Sequence, residues 1–192
     1  MAVEIGWDQL ASALRLSTPQ GKTQGSEAAQ RALEMILGEE TVRAAVDYYI
    51  AVEPGYELAR SVLWLLRPWS AMARCHELAA PSNDIETRRS AVELLAVVAD
   101  RRALPWVSEF LDDGDPQVQG WAVGVLDQMV FSELIEPEEA EEVLKRAERH
   151  ESAAVREQAE SIRGYLRDRE RKVTRGRGDG RNGSDGTSSN EA

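Results

Sequence analysis

The sequence predicts an all-α fold: a right-handed α-solenoid of antiparallel helix pairs, with a capping helix at its N-terminal end and a disordered C-terminal tail. Two observations predict it. The first is a three-point apolar stripe that recurs along the chain. One copy is Val118, Ala122 and Val125 with Leu126, a second is Thr87, Ala91 and Leu94 with Leu95, and a third is Val155, Ala159 and Ile162. The second position lies four residues after the first and the third lies three further on, which is one face of an α-helix. Recurrence of such a stripe at a period of about 20 to 50 residues is the signature of stacked helix pairs. The second observation is the punctuation, which is of the helix-capping kind throughout, with no alternating apolar and polar run that would read as a strand.

Taken in order, residues 1–25 read as a short helix and a linker around Gly21-Lys22-Thr23. Residues 26–170 read as the helical repeat domain and begin with a helix over 26–37 that can cap the open end of the array. Four pairs follow: 41–52 with 56–67, 69–79 with 85–99, 104–111 with 116–131, and 137–149 with 152–168. Pro54-Gly55 separates the first two helices, and Pro81-Ser82-Asn83-Asp84 precedes the helix at 85. Gly114 is expected to end one helix in a left-handed cap, with Asp115 capping the next and Pro116 in its first turn. Glu136-Pro137-Glu138-Glu139 places carboxylates at the positive end of a helix that closes with Lys145-Arg146. The aligned stripes start at Gly55, Thr87, Val118 and Val155, with separations of 32, 31 and 37 residues. The first copy is irregular, since glycine stands where an apolar residue is expected. Residues 171–192, rich in Arg, Gly and Ser, have too little to bury to offset the entropy of ordering, and read as a disordered tail.

The 192 residues carry a net charge of −11, with mean hydropathy −0.44. Residues 1–166 hold 16 basic and 29 acidic side chains, so the acidity lies in the body. Such a body repels phosphate backbones, so the folded part is not expected to bind nucleic acid. No run is long and apolar enough to span a bilayer. A single cysteine, Cys75, rules out a disulfide framework within the chain, and the opening residues do not read as a signal peptide, which together suggest a cytoplasmic protein.

The pattern resembles HEAT repeats. The residues that carry the resemblance are Leu104-Pro105 and Phe110-Leu111, the Asp115-Pro116 turn, the stripe of Val118, Ala122, Val125 and Leu126, and the apolar-Arg-x-x-Ala pattern in Val155-Arg156 with Ala159. Thr87-Arg88 with Ala91 follows that pattern with Thr in the apolar place. The resemblance covers roughly residues 41–166 and implies a curved array whose second helices line one face. It implies a tendency to bind proteins and no particular activity.

With the stripe buried, the second, sixth and ninth positions after its start point away from the core. They select Trp64 on the first second-helix, Arg89 and Glu93 on the next, Gly120, Gly124 and Asp127 on the third, and Glu157 on the last. These seven are the expected partner-binding residues. Two glycines one turn apart leave a shallow notch, and tryptophan is a favoured interface anchor. The partner is expected to be a basic protein, drawn in by the acidic face. No catalytic, cofactor-binding or metal-binding residue is expected. His76-Glu77 and His150-Glu151 resemble the paired iron ligands of deoxyhypusine hydroxylase, another HEAT protein, but the two pairs fall at non-equivalent repeat positions. HEAT-like DNA glycosylases need a cationic groove that this body lacks. Gly21-Lys22-Thr23 lacks the earlier glycine of a phosphate loop. Two other expectations stand beside the main one: an immunity protein that neutralises a basic toxin, and a HEAT-scaffold enzyme such as a chromophore lyase or a metal-dependent hydroxylase.

Overall fold

The computed structural model of the chain describes residues 27–179. The short helix and linker expected over 1–25, and the end of the tail, lie outside them. Within them the regular elements are nine α-helices and one short 3₁₀ turn. They are α1 (Glu27–Leu37), α2 (Glu39–Ile50), α3 (Tyr56–Leu66), α4 (Trp69–Leu78), α5 (Ile85–Val98), α6 (Leu104–Leu111), α7 (Pro116–Phe131), α8 (Pro137–Glu148) and α9 (Ala153–Asp179), with the 3₁₀ turn at Arg101–Ala103 before α6. Consecutive helices pair as expected: α2 with α3, α4 with α5, α6 with α7, and α8 with α9. The second helices α3, α5, α7 and α9 stack in that order into one layer, and the first helices form the other.

The predicted stripes are the core. Val118, Ala122, Val125 and Leu126 of α7 are fully buried, as are Ala91, Leu94 and Leu95 of α5 and Val155 and Ala159 of α9. Each such Val or Leu contributes about 1.5–3 kcal/mol by leaving water. Helix α7 is the most enclosed element, touching α5, α6, α8 and α9. The first pair departs from the expected register. Gly55 lies outside the helix, at φ +87°, and caps α3 from a left-handed conformation. The buried flank of α3 is therefore Leu63 with half-buried Tyr56, Ala59 and Leu66, while Val62, expected inside, is exposed.

One device closes the turn inside three successive pairs. Asp84 accepts the Thr87 N–H at 3.0 Å, and Asp115 accepts those of Gln117 and Val118 at 3.0 and 3.1 Å, so each aspartate caps its helix. Four residues after the cap, a long polar side chain reaches back over the turn. Arg88 donates to the Ala79 carbonyl at 3.3 Å and pairs with Asp113. Gln119 donates to the Asp113 carbonyl at 2.7 Å. Arg156 donates to the carbonyls of His150 and Glu151, both at 2.7 Å. The recurrence of this bracing explains why Arg follows the apolar position in two of the repeats.

The turn before α7 is built differently from the sequence expectation. The left-handed glycines are Gly38 and Gly55, and Gly114 is not one of them. The end of α6 is closed by Asp112 and Asp113 N–H groups donating to the Glu109 and Phe110 carbonyls, and Asp113 accepts the Asp115 N–H at 2.9 Å. An aspartate side chain thus does the work assigned to the glycine. At the other end of the chain α9 continues to Asp179, past the boundary expected at 168, through a run rich in helix-favouring Arg and Glu. Helix α1 supplies the missing cap of α4: Pro68 precedes that helix without a capping side chain, and Glu34 accepts the N–H groups of Trp69 and Ser70 at 3.2 and 2.8 Å.

Candidate functional site

The solvent side of the second-helix layer carries the seven residues picked out by register, and the structure treats them unequally. Trp64 is 44% exposed, on the side of α3 shared with Glu57 and Ser61. Glu93 on α5 is half-buried, and its charge helps to raise the Tyr49 phenol above its ordinary value, after burial of that ring as the main cause. Asp127 on α7 and Glu157 on α9 are exposed. None of these three carboxylates makes an ion pair among the described residues. Burial of its surroundings alone raises the Asp127 carboxyl above the usual carboxylate range.

Arg89 is not free to meet a partner. Its guanidinium is held by Asp115 at 2.7 and 3.2 Å and by Glu86 at 2.8 Å. The Arg89 bond, aided by the capping N–H groups of α7, lowers the Asp115 carboxyl to about 2. Arg89 therefore links α5 to the start of α7. The two glycines also differ. A Cβ at Gly120 would meet nothing within 4 Å, so the surface there is open. At Gly124 a Cβ would lie 3.4 Å from the Trp121 ring, 3.7 Å from Ala96 of α5 and 4.0 Å from Gln158 of α9. The expected notch is thus closed at its second turn by an indole lying over the helix backbone and by both neighbouring helices. Register cannot foresee this, because the ring comes from a residue three positions away on the same helix.

Two aromatic groupings escaped the sequence reading. On the second-helix layer, Phe131 of α7 is strongly exposed and leans on Tyr165 of α9, ring centroids 5.1 Å apart. On the opposite layer, Trp69 of α4 stacks on Trp106 of α6 at 5.4 Å and 30°. His76 lies against the same indole at 4.5 Å and 16°, with Nε2 2.9 Å from Glu109. The guanidinium of Arg102 sits 5.5 Å from the Trp69 ring. The signal was present in the sequence: both tryptophans fall in the first turn of a first helix.

The histidines act in packing. His150 Nδ1 accepts the Ser152 N–H at 3.1 Å, so Nε2 carries the proton it donates to the Leu111 carbonyl at 2.9 Å. The ring joins the end of α6 to the start of α9 as a neutral group, and not as the cation that its place near a helix end suggested. Cys75 is fully buried, and burial pushes its thiol pKa far up, away from the reactive thiolate. Among the described residues no group of three or more His, Cys, Asp or Glu is placed to hold a metal ion, and no helix is long and apolar enough to cross a membrane.

Against known families, the model for HEAT repeats matches residues 73–163, the stretch from within α4 to within α9. Over that stretch the chain is a HEAT-repeat array. Comparison with curated proteins and with solved structures gives no match. HEAT repeats are typical protein-interaction scaffolds and usually non-catalytic, and the matched stretch includes four of the carboxylate and arginine positions on the candidate face: Arg89, Glu93, Asp127 and Glu157.

Proposed function

We propose that this HEAT-repeat chain is a non-enzymatic binding module that docks a basic protein on the solvent side of its second-helix layer. One observation carries the reading. Elsewhere on the array carboxylates are matched by the chain's own cations: Glu77 by Arg43 and Arg74, Asp113 by Arg88, Asp115 by Arg89, and Glu141 and Glu148 by Arg163. Glu93, Asp127 and Glu157 stand on three successive second helices with no such match. Unpaired charges of one sign on neighbouring elements raise the local potential and steer a partner of opposite sign. Trp64 toward one end of the face, and Phe131 with Tyr165 toward the other, offer apolar anchors between which a basic surface could lie.

The site is tested by reversing the three charges together, Glu93→Lys, Asp127→Lys and Glu157→Lys, and capturing partners from a lysate with the wild type and the variant. A basic protein held by the wild type, released as salt rises and not held by the variant, is the expected result. Equal capture by both forms would overturn the assignment of the face. Arg89 is removed from the docking set, because reversing it would break the α5–α7 link and confuse binding with folding.

A further inference from the structure

The N-terminal end of the array presents an apolar surface where an end should be polar. Met35 and Ile36 of α1 are 84% and 78% exposed, and Leu58 and Val62 of α3 are 73% and 53% exposed. Leu58, Val62 and Leu65 form an i, i+4, i+7 stripe on a flank of α3 that does not include its buried Leu63. Helix α1 touches α3, so the two apolar strips belong to adjoining elements. Most of the large exposed apolar side chains of the described residues lie before residue 66. A solenoid needs a terminal element with a polar outer face to stay soluble. Helix α1 does not provide one, although it was expected to be the cap.

The chain immediately before α1 has the complementary pattern. Val3, Trp7, Leu10 and Leu14 repeat at helical spacing, and Glu4, Asp8, Ser12 and Arg15 fall on the other side of the same wheel. At about 1.5 Å per residue, residues 3–14 would make a helix about 18 Å long, close to the ~16 Å of α1 and of α3. The linker over 17–26 reaches at most about 35 Å, enough to run back along α1 and deliver that helix to the exposed strip.

We propose that residues 3–14 fold back as an amphipathic helix over Met35, Ile36, Leu58, Val62 and Leu65 and form the true polar end of the array. Val3, Trp7, Leu10 and Leu14 cover the apolar strip and leave Glu4, Asp8 and Ser12 in water. This reading does not depend on the acidic face or on its partner.

The test uses the full chain with the photo-crosslinker p-benzoylphenylalanine in place of Val62, irradiated at low micromolar concentration and mapped by mass spectrometry. Crosslinks within one chain to peptides containing residues 3–14 are expected. A parallel variant, Leu10→Asp with Leu14→Asp, should bind a hydrophobic dye with several-fold greater fluorescence than wild type while keeping the wild-type helix content. Crosslinks joining two chains would mean that a second copy covers the strip. Crosslinks only to residues beyond 26, or dye fluorescence already as high in the wild type as in the variant, would mean that the segment does not lie there. Each of these results overturns the proposal.

Discussion

Asp127 and Asp115 are the same residue type on one helix and its cap, yet their surroundings drive them in opposite directions. Asp127 keeps a carboxylate that burial disfavours and no cation relieves. Its folded-state pKa lies above the unfolded value, so the charged form costs stability at neutral pH, and the cost fades as pH falls through the folded and then the unfolded pKa. Replacement by Asn, which keeps the shape, should therefore raise the melting temperature slightly at pH 7. The two melting curves should converge as the solution is acidified into the ordinary carboxylate range. A variant less stable than wild type at pH 7 would show that the carboxylate contributes to the fold. Residue-scale features of this kind are hard to read in a sequence. Arg89 looked like an outward contact because its partner Asp115 lies 26 residues away, and Gly124 looked like an open notch because the Trp121 ring that fills it is a matter of rotamer.

At the scale of elements, Asp115 holds α7 in place by capping two N–H groups and by binding Arg89 of α5. Its carboxyl is lowered to about 2, so the stability it contributes is complete above the unfolded value near 4 and is lost as pH falls toward 2. Asp115→Ala should cost about 2 kcal/mol in urea unfolding at neutral pH, combining a lost cap with an unpaired Arg89. The difference from wild type should shrink below about pH 4. Elements were also where the sequence was most legible. The stripes of α5, α7 and α9 and the Asp-Pro entry to α7 followed from spacing, because the helix period and cap chemistry are local. The first pair was not legible in register, since Gly55 sits in the turn and shifts the buried flank of α3 toward Tyr56 and Leu63. The strap of Glu34 over the start of α4 joins residues 35 and 36 positions apart and leaves no local trace.

At the scale of the whole molecule, the array is a row in which each pair rests on its neighbours, so the position of a defect matters as much as its size. Leu126 is fully buried in α7, which touches helices on both sides. Leu126→Ala should cost about 2–5 kcal/mol and should loosen both flanks, seen as faster amide exchange in α5 and in α9 together. Leu63→Ala, near the N-terminal end, should speed exchange in α2 and α3 and leave α9 at its wild-type rate. Equal exchange profiles for the two variants would argue that the array unfolds as one unit.

The stacked pair of Trp69 and Trp106 has an optical consequence. Two indoles from neighbouring pairs, 5.4 Å apart at an angle of 30°, couple their electronic transitions. Such coupling produces a bisignate circular dichroism band that depends on the mutual orientation of the rings. The chain thus carries a built-in optical gauge of whether α4 and α6 remain docked, readable without any label.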